Sequence, residues 1–228
     1  MDKKNTLIGV VAVSLASIMW GFDGIVLTPR LHNLDVIYVV FILHLLPFLI
    51  MNVFLHKEYF LIKELTRQDF MGFFLIALFG GALGTIFIVK ALFLVNFQQL
   101  TIVVLLQKLQ PVFAIALAAL LLKEKIGRRF LLWAVIAIVA SYFLVFGLDL
   151  PNFKTDRNTI IAAVFALLAS ISFGSSTVFS KKILFKYSFQ ASTFFRYGLT
   201  SVILSILVLV VGKFDQIGLT TNENWIFL

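Results

Sequence analysis

The chain has 228 residues, no cysteine and a formal net charge of +8. Hydrophobic residues make up 61% of it and charged residues 13%, with a mean hydropathy of +1.04. A soluble domain carries about a quarter charged residues, so this chain cannot cover its apolar surface with polar groups, and a bilayer removes the need. Without cysteine, disulfides and thiolate metal sites are excluded. The basic residues lie scattered in short loops between apolar runs, which speaks for membrane topology and against a nucleic-acid partner.

A helix needs about 20 apolar residues to cross the hydrocarbon core, and seven runs qualify: Leu7–Leu27, Val36–Leu55, Phe70–Leu92, Leu100–Leu122, Phe130–Leu148, Thr159–Phe179 and Phe189–Val211. Lys3 and Lys4 before the first run resemble a signal peptide, but the run continues to Leu27 without a cleavage site and further spans follow. Span one carries small residues at every fourth position (Gly9, Ser17 and Gly21, with Val13 between), then Trp20 and, near its outer end, Asp23. Spacing of four keeps such residues on one helix face, and small residues let backbones approach closely in lipid. His44 lies inside span two, either as a proton carrier or as a hydrogen-bonded packing residue. Span three has its own small pair, Gly80 and Gly84, and ends near Lys90.

Span four contains LQKLQP. Lys108 lies eight residues in from Leu100, about 12 Å deep at ~1.5 Å per residue. A charge there costs at least ~2.5 kcal/mol on insertion scales, so such residues face a wet cavity or a partner, or else snorkel to the surface. Gln107 and Gln110 flank it, and Pro111, which lacks an N–H, frees a carbonyl near Gln107. The expected result is a polar patch in an opened helix. Asp23, at similar depth, is the expected ion-pair partner of Lys108, with helix capping in the headgroup layer as its alternative.

Span six repeats span one. LASIMWG at Leu15–Gly21 and LASISFG at Leu168–Gly174 share five of seven residues, 153 apart, and Ala162, Ala166, Ser170 and Gly174 form a second small-residue ridge. Packing is the expected use of these ridges and of Gly80 and Gly84; a moving interface is the alternative. Arg196 lies inside span seven, where one gap in the alignment pairs it with His44 and where snorkelling is also open to it. The final residues, Asn224–Leu228, match Asp69–Phe73 at the entry to span three. They read as the start of an eighth span, so the chain is expected to be a fragment lacking about three helices.

With the N-terminus in the cytoplasm, the cytoplasmic segments hold twelve basic residues (Lys3, Lys4, Lys57, Lys63, Arg67, Lys123, Lys125, Arg128, Arg129, Lys181, Lys182, Lys186) and the outer loops four (Arg30, Lys154, Arg157, Lys213). That bias sets the expected orientation. Five spans separate the starts of the repeats, and an odd number inverts the second copy, as in many secondary transporters. The expected fold is an all-α polytopic membrane bundle with an inverted five-plus-five repeat, cut off after about seven spans.

These residues resemble the EamA family of the drug/metabolite transporter superfamily. The likeness rests on Trp20-Gly21, on Lys90-Ala91-Leu92, on Pro111 with Glu124 beyond it, on Arg196, and on their order and duplication. It implies ten helices in two inverted five-helix units, here residues 1–148 and a partial second unit at 159–228, with cytoplasmic termini and a central cavity. It also implies export of amino acids, metabolites or toxic compounds. The chain departs from the family pattern in carrying His44 where the second half has Arg196. LQKLQP is also more polar than the family generally needs, which points to a polar or anionic substrate. The expected function is secondary transport by alternating access in the inner membrane. Its substrate pathway is formed by Lys108, Gln107, Gln110, Trp20, Asp23, His44 and Arg196, and Asp23 or His44 takes a coupling proton. No cofactor or metal is expected, and the oligomeric state stays open. The rivals are a membrane-embedded enzyme acting on lipids, which would need clustered acids or histidines at one interface, and a non-transporting scaffold or sensor.

Overall fold

The computed structural model describes residues 3–98, 100–121, 123, 127–146, 148 and 156–228. Glu124, Lys125 and Lys154 lie outside the described residues. Every described element is helical, since lipid leaves no water to satisfy an open backbone.

Span one is α1 (Lys3–Phe22), continued by a π-helical turn at Asp23–Leu27 and a 3-10 turn at Thr28–Leu31. Span two is α2 (Val36–Leu55), with the bounds expected from the sequence, because Asp35 caps it by accepting from the Ile37 N–H at 2.9 Å. A 3-10 stretch, His56–Glu64, leads to α3 (Arg67–Ile76). Span three continues through a π-helical segment at Ala77–Leu83 into α4 (Gly84–Leu94). Span four is split into α5 (Leu100–Gln107) and α6 (Gln110–Leu121). Next come α7 (Arg128–Phe146), α8 (Arg157–Leu184), α9 (Phe189–Val211) and two short helices, α10 (Gln216–Leu219) and α11 (Asn222–Phe227). Ser188 caps α9 at its start. Gly212 ends it at φ +70°, a left-handed conformation that glycine adopts without a Cβ penalty. Among the described residues six helical segments are long and apolar enough to cross a membrane; the fifth expected span is α7, whose apolar stretch is Leu131–Ala140. The protein is a polytopic membrane helical bundle.

Helix α8 is the centre of the packing, touching α3, α4, α5 and α6, while α2 packs along α9. Its buried stripe, Ala162, Ala166, Ala169, Ser170 and Gly174, lets these neighbours come close. A Cβ on Gly174 would lie 3.0 Å from the Ala114 nitrogen and 3.2 Å from the Gln110 carbonyl oxygen. One on Gly84 would lie 2.7 Å from the Phe173 ring, and those on Gly80 and Gly81 would run into Ser176 and Thr200. The matching ridge on span one does not pack. Gly9 and Gly21 have nothing within 4 Å, and every described side chain from Thr6 to Phe22 is exposed. A small-residue ridge becomes a seam only where another helix packs against it, and none lies within 4 Å of a Cβ at Gly9 or Gly21 among the described residues.

Two side-chain clasps join segments far apart in the chain. At the end of the bundle where α1 begins, Thr66 and Asp69 form a capping box at the start of α3. The Asp69 carboxylate also accepts from the Tyr187 hydroxyl at 2.9 Å and pairs with Lys186, both in the α8–α9 connection. At the opposite end Thr221 and Asn224 form the same box at the start of α11. Asn224 exchanges amide hydrogen bonds with Asn33 at 3.0 and 3.1 Å and donates to the Arg30 carbonyl.

Candidate functional site

A cavity of about 900 Å³ opens between spans one, two, three, four, six and seven, and Trp20, Asp23, His44, Gln107, Lys108, Gln110 and Arg196 all line it. Its size falls within the ~300–1,000 Å³ usual for small-molecule sites.

The polar groups are placed by breaks in the helices. In span four the Lys108 N–H reaches back to both the Val104 and Leu105 carbonyls at 3.0 Å, and the Leu109 N–H takes the Leu106 carbonyl at 3.2 Å. Pro111 has no N–H for the Gln107 carbonyl, and the ladder opens there. The Ser170 hydroxyl of α8 donates to the Leu106 carbonyl at 2.7 Å. The opened turn holds Gln107, Lys108 and Gln110 at the cavity wall. The buried Gln107 Nε2 has no partner among the described residues, and no ion pair forms between Lys108 and Asp23. Instead Asp23 accepts from the Thr28 hydroxyl at 3.2 Å across the π-helical turn, so the expected pairing is corrected: the turn folds the carboxylate back onto its own span.

The π-helical segment of span three does similar work. π-Bulges leave backbone carbonyls without their usual partner, and the Gly80 carbonyl accepts from Arg196 Nη2 at 3.0 Å. Glycines here allow the approach, since Ser176 and Thr200 occupy the space a Cβ would need. Arg196 Nε is buried and unpartnered among the described residues. His44 Nδ1 donates to the Val40 carbonyl at 2.8 Å, leaving its other nitrogen for the cavity, and its ring lies 5.4 Å from that of Tyr197.

Tyr197, Phe173, Ser176 and Thr28 also line the cavity; of these only Phe173, the counterpart of Trp20 in the repeated heptapeptide, stood out in the sequence. The register that reveals Tyr197 is gapless. The caps Asp35 and Ser188 are 153 residues apart, as are Trp20 and Phe173, and so are His44 and Tyr197. This replaces the gapped pairing of His44 with Arg196. Both aromatic pairs meet, Trp20 edge-on to Phe173 at 6.4 Å and His44 over Tyr197.

Apolar helices enclosing a polar cavity inside the membrane define a multi-pass membrane transporter. The chain belongs to the EamA-like transporter family, which matches residues 7–146. It is similar to "Riboflavin transporter ImpX" of Fusobacterium nucleatum subsp. nucleatum (strain ATCC 23726 / VPI 4351). The two are 51% identical over 223 residues, covering 97% of this chain and 75% of the relative. No solved structure matches the chain.

Proposed function

We propose that this protein carries riboflavin, or a close flavin, across the cell membrane by alternating access. The observation that carries the reading is the cavity, which combines aromatic rings with amide and cationic donors and belongs to a chain 51% identical to a riboflavin transporter. A flavin needs both a surface for its tricyclic ring and partners for its carbonyls and ribityl hydroxyls. This narrows the broader expectation of a polar metabolite, amino acid or drug.

The two halves are read as inverted repeats with the N-terminus in the cytoplasm. Supporting this, residues 153 apart face each other at Trp20–Phe173 and His44–Tyr197, and matching clasps sit at opposite ends of the bundle. Lys108, Gln107, Gln110 and Arg196 serve the substrate, while Asp23 and His44 are the groups able to carry a coupling proton. Gly80, Gly84, Gly174 and Pro111 shape the walls. The test is riboflavin flux in proteoliposomes holding the protein expressed from its complete gene, with the flavin loaded on either side to read the expected export direction. Saturable flux blocked by excess unlabelled riboflavin is the expected result. Flux no greater than in empty liposomes refutes the reading.

A further inference from the structure

The cavity wall has two polar levels with an aromatic step between them. Helix α8 provides the ruler. Ser170 donates to the Leu106 carbonyl, next to Gln107. Ser176 donates to the Ile76 carbonyl at 3.3 Å and sits against Gly80, the residue that holds Arg196. The two serines are six residues apart, about 9 Å along the helix axis at ~1.5 Å per residue. Phe173 lies midway between them and meets Trp20 edge-on.

The levels differ in chemistry. A guanidinium only donates, through five N–H groups in a planar fork. Gly80 takes part of that fork, Arg196 Nε is left over, and no carboxylate pairs with this arginine among the described residues. What completes it is a flat group of acceptors. The other level is a primary amide, Gln107, beside Gln110 and Lys108. Amides both donate and accept, and Gln107 Nε2 is unfilled. Hydroxyl groups, which also do both, suit that level.

Resting on the flavin reading above, we infer that the cavity reads its substrate at two levels. Arg196 takes the carbonyl-bearing edge of the ring system, Trp20 and Phe173 take the ring, and Gln107 takes the ribityl hydroxyls. Arg196 is the ring-specificity residue and Gln107 the side-chain-specificity residue.

Three probes separate these roles: riboflavin, lumiflavin (the same ring with a methyl in place of ribityl) and riboflavin 5′-phosphate. Binding to the purified full-length protein is followed by flavin fluorescence, with gel filtration and thermal unfolding as checks on folding. In Arg196→Gln, affinity for riboflavin and lumiflavin should fall together, by about tenfold or more for a lost charged hydrogen bond. Arg196→Lys should recover part of both, because an ammonium lacks the fork; it also serves if Arg196→Gln does not fold. In Gln107→Leu, riboflavin should weaken several-fold while lumiflavin binds as in the wild type. Loss of riboflavin alone in Arg196→Gln, or of the 5′-phosphate alone, places Arg196 at the side chain and overturns the assignment. So does equal weakening of riboflavin and lumiflavin in Gln107→Leu. A wild-type protein that binds riboflavin but gives such a reversed pattern overturns the two-level assignment only; one that binds none of the three flavins removes the flavin reading as well.

Discussion

Gly21 and Gly174 end the same repeated heptapeptide, yet alanine should act oppositely at the two. At Gly174 the added methyl lies 3.0 Å from the Ala114 nitrogen and 3.2 Å from both the Gln110 oxygen and the Phe113 Cβ. Comfortable carbon contacts begin near ~3.5 Å. Two of the three obstacles are backbone atoms of α6, so α6 must shift as a unit rather than a side chain turning aside. Overpacking of that kind costs about 1–3 kcal/mol. At Gly21 nothing lies within 4 Å, so only the helix preference for alanine acts, a gain of about 0.5–1 kcal/mol. At about 2–4 °C per kcal/mol for a protein of this size, Gly174→Ala should unfold roughly 2–12 °C lower than wild type, and Gly21→Ala roughly 1–4 °C higher. Thermal unfolding in one detergent, followed by gel filtration or circular dichroism, measures both. Equal shifts in the two variants, or an undisturbed Gly174→Ala, would refute the close approach of α8 to α6.

Lys108→Met should keep wild-type expression, since removing a charge from the bilayer lowers the insertion cost, but should lose most transport; Lys108→Arg should restore part of it. Normal flux in Lys108→Met at normal expression would remove Lys108 from the substrate pathway. Single cysteines at positions 63 and 182 of this cysteine-free chain should resist an impermeant reagent applied outside, whereas one at 213 should react; the reverse pattern overturns the orientation. The Asp69 carboxylate raises the Lys186 pKa by hydrogen bonding. That contribution to stability is therefore full below the ordinary lysine value and lost as pH rises through the raised one. Asp69→Asn should flatten this alkaline fall in unfolding temperature, and an unchanged profile would show that the clasp does not stabilise the fold.

The spans were legible because lipid makes hydropathy nearly sufficient: α2 and α9 begin and end where their apolar runs do, each starting at its cap, Asp35 or Ser188. The six polar residues among the seven were legible as a group for a related reason. Each is costly to leave unpartnered in hydrocarbon, so they converge on one cavity. The π-helical turns were not legible. Nothing in Ala77–Leu83 marks a changed hydrogen-bond period; the segment is stabilised by contacts from Thr200, Ser176 and Arg196, more than 90 residues away. The use of a ridge was equally hidden, since Ala162 to Gly174 and Gly9 to Gly21 share their spacing but only one has a neighbour. Tyr197 escaped notice because an aromatic in an apolar run looks like any lipid-facing ring.

The two clasps share a geometry and differ in chemistry. The boxes Thr66/Asp69 and Thr221/Asn224 stand 155 residues apart, and their docking partners Asn33 and Lys186 stand 153 apart. The residue at the third helical position dictates its partner. Asp69 only accepts, so it is met by donors, Lys186 and the Tyr187 hydroxyl. Asn224 both donates and accepts, so it is met by an amide and a carbonyl, Asn33 and Arg30. The start of α3 is therefore docked on the α8–α9 connection, and the start of α11 on the loop that precedes α2. One dock is charged and screened by salt, the other neutral and indifferent to it. Ionic strength therefore bears on one of the two docks only. Exchanging a single member, as in Asp69→Asn, keeps an acceptor oxygen for Lys186 and Tyr187 but removes the charge that pairs with the ammonium. Exchanging a matched set, Asp69→Asn with Lys186→Asn, rebuilds at one end the amide pair already present at the other.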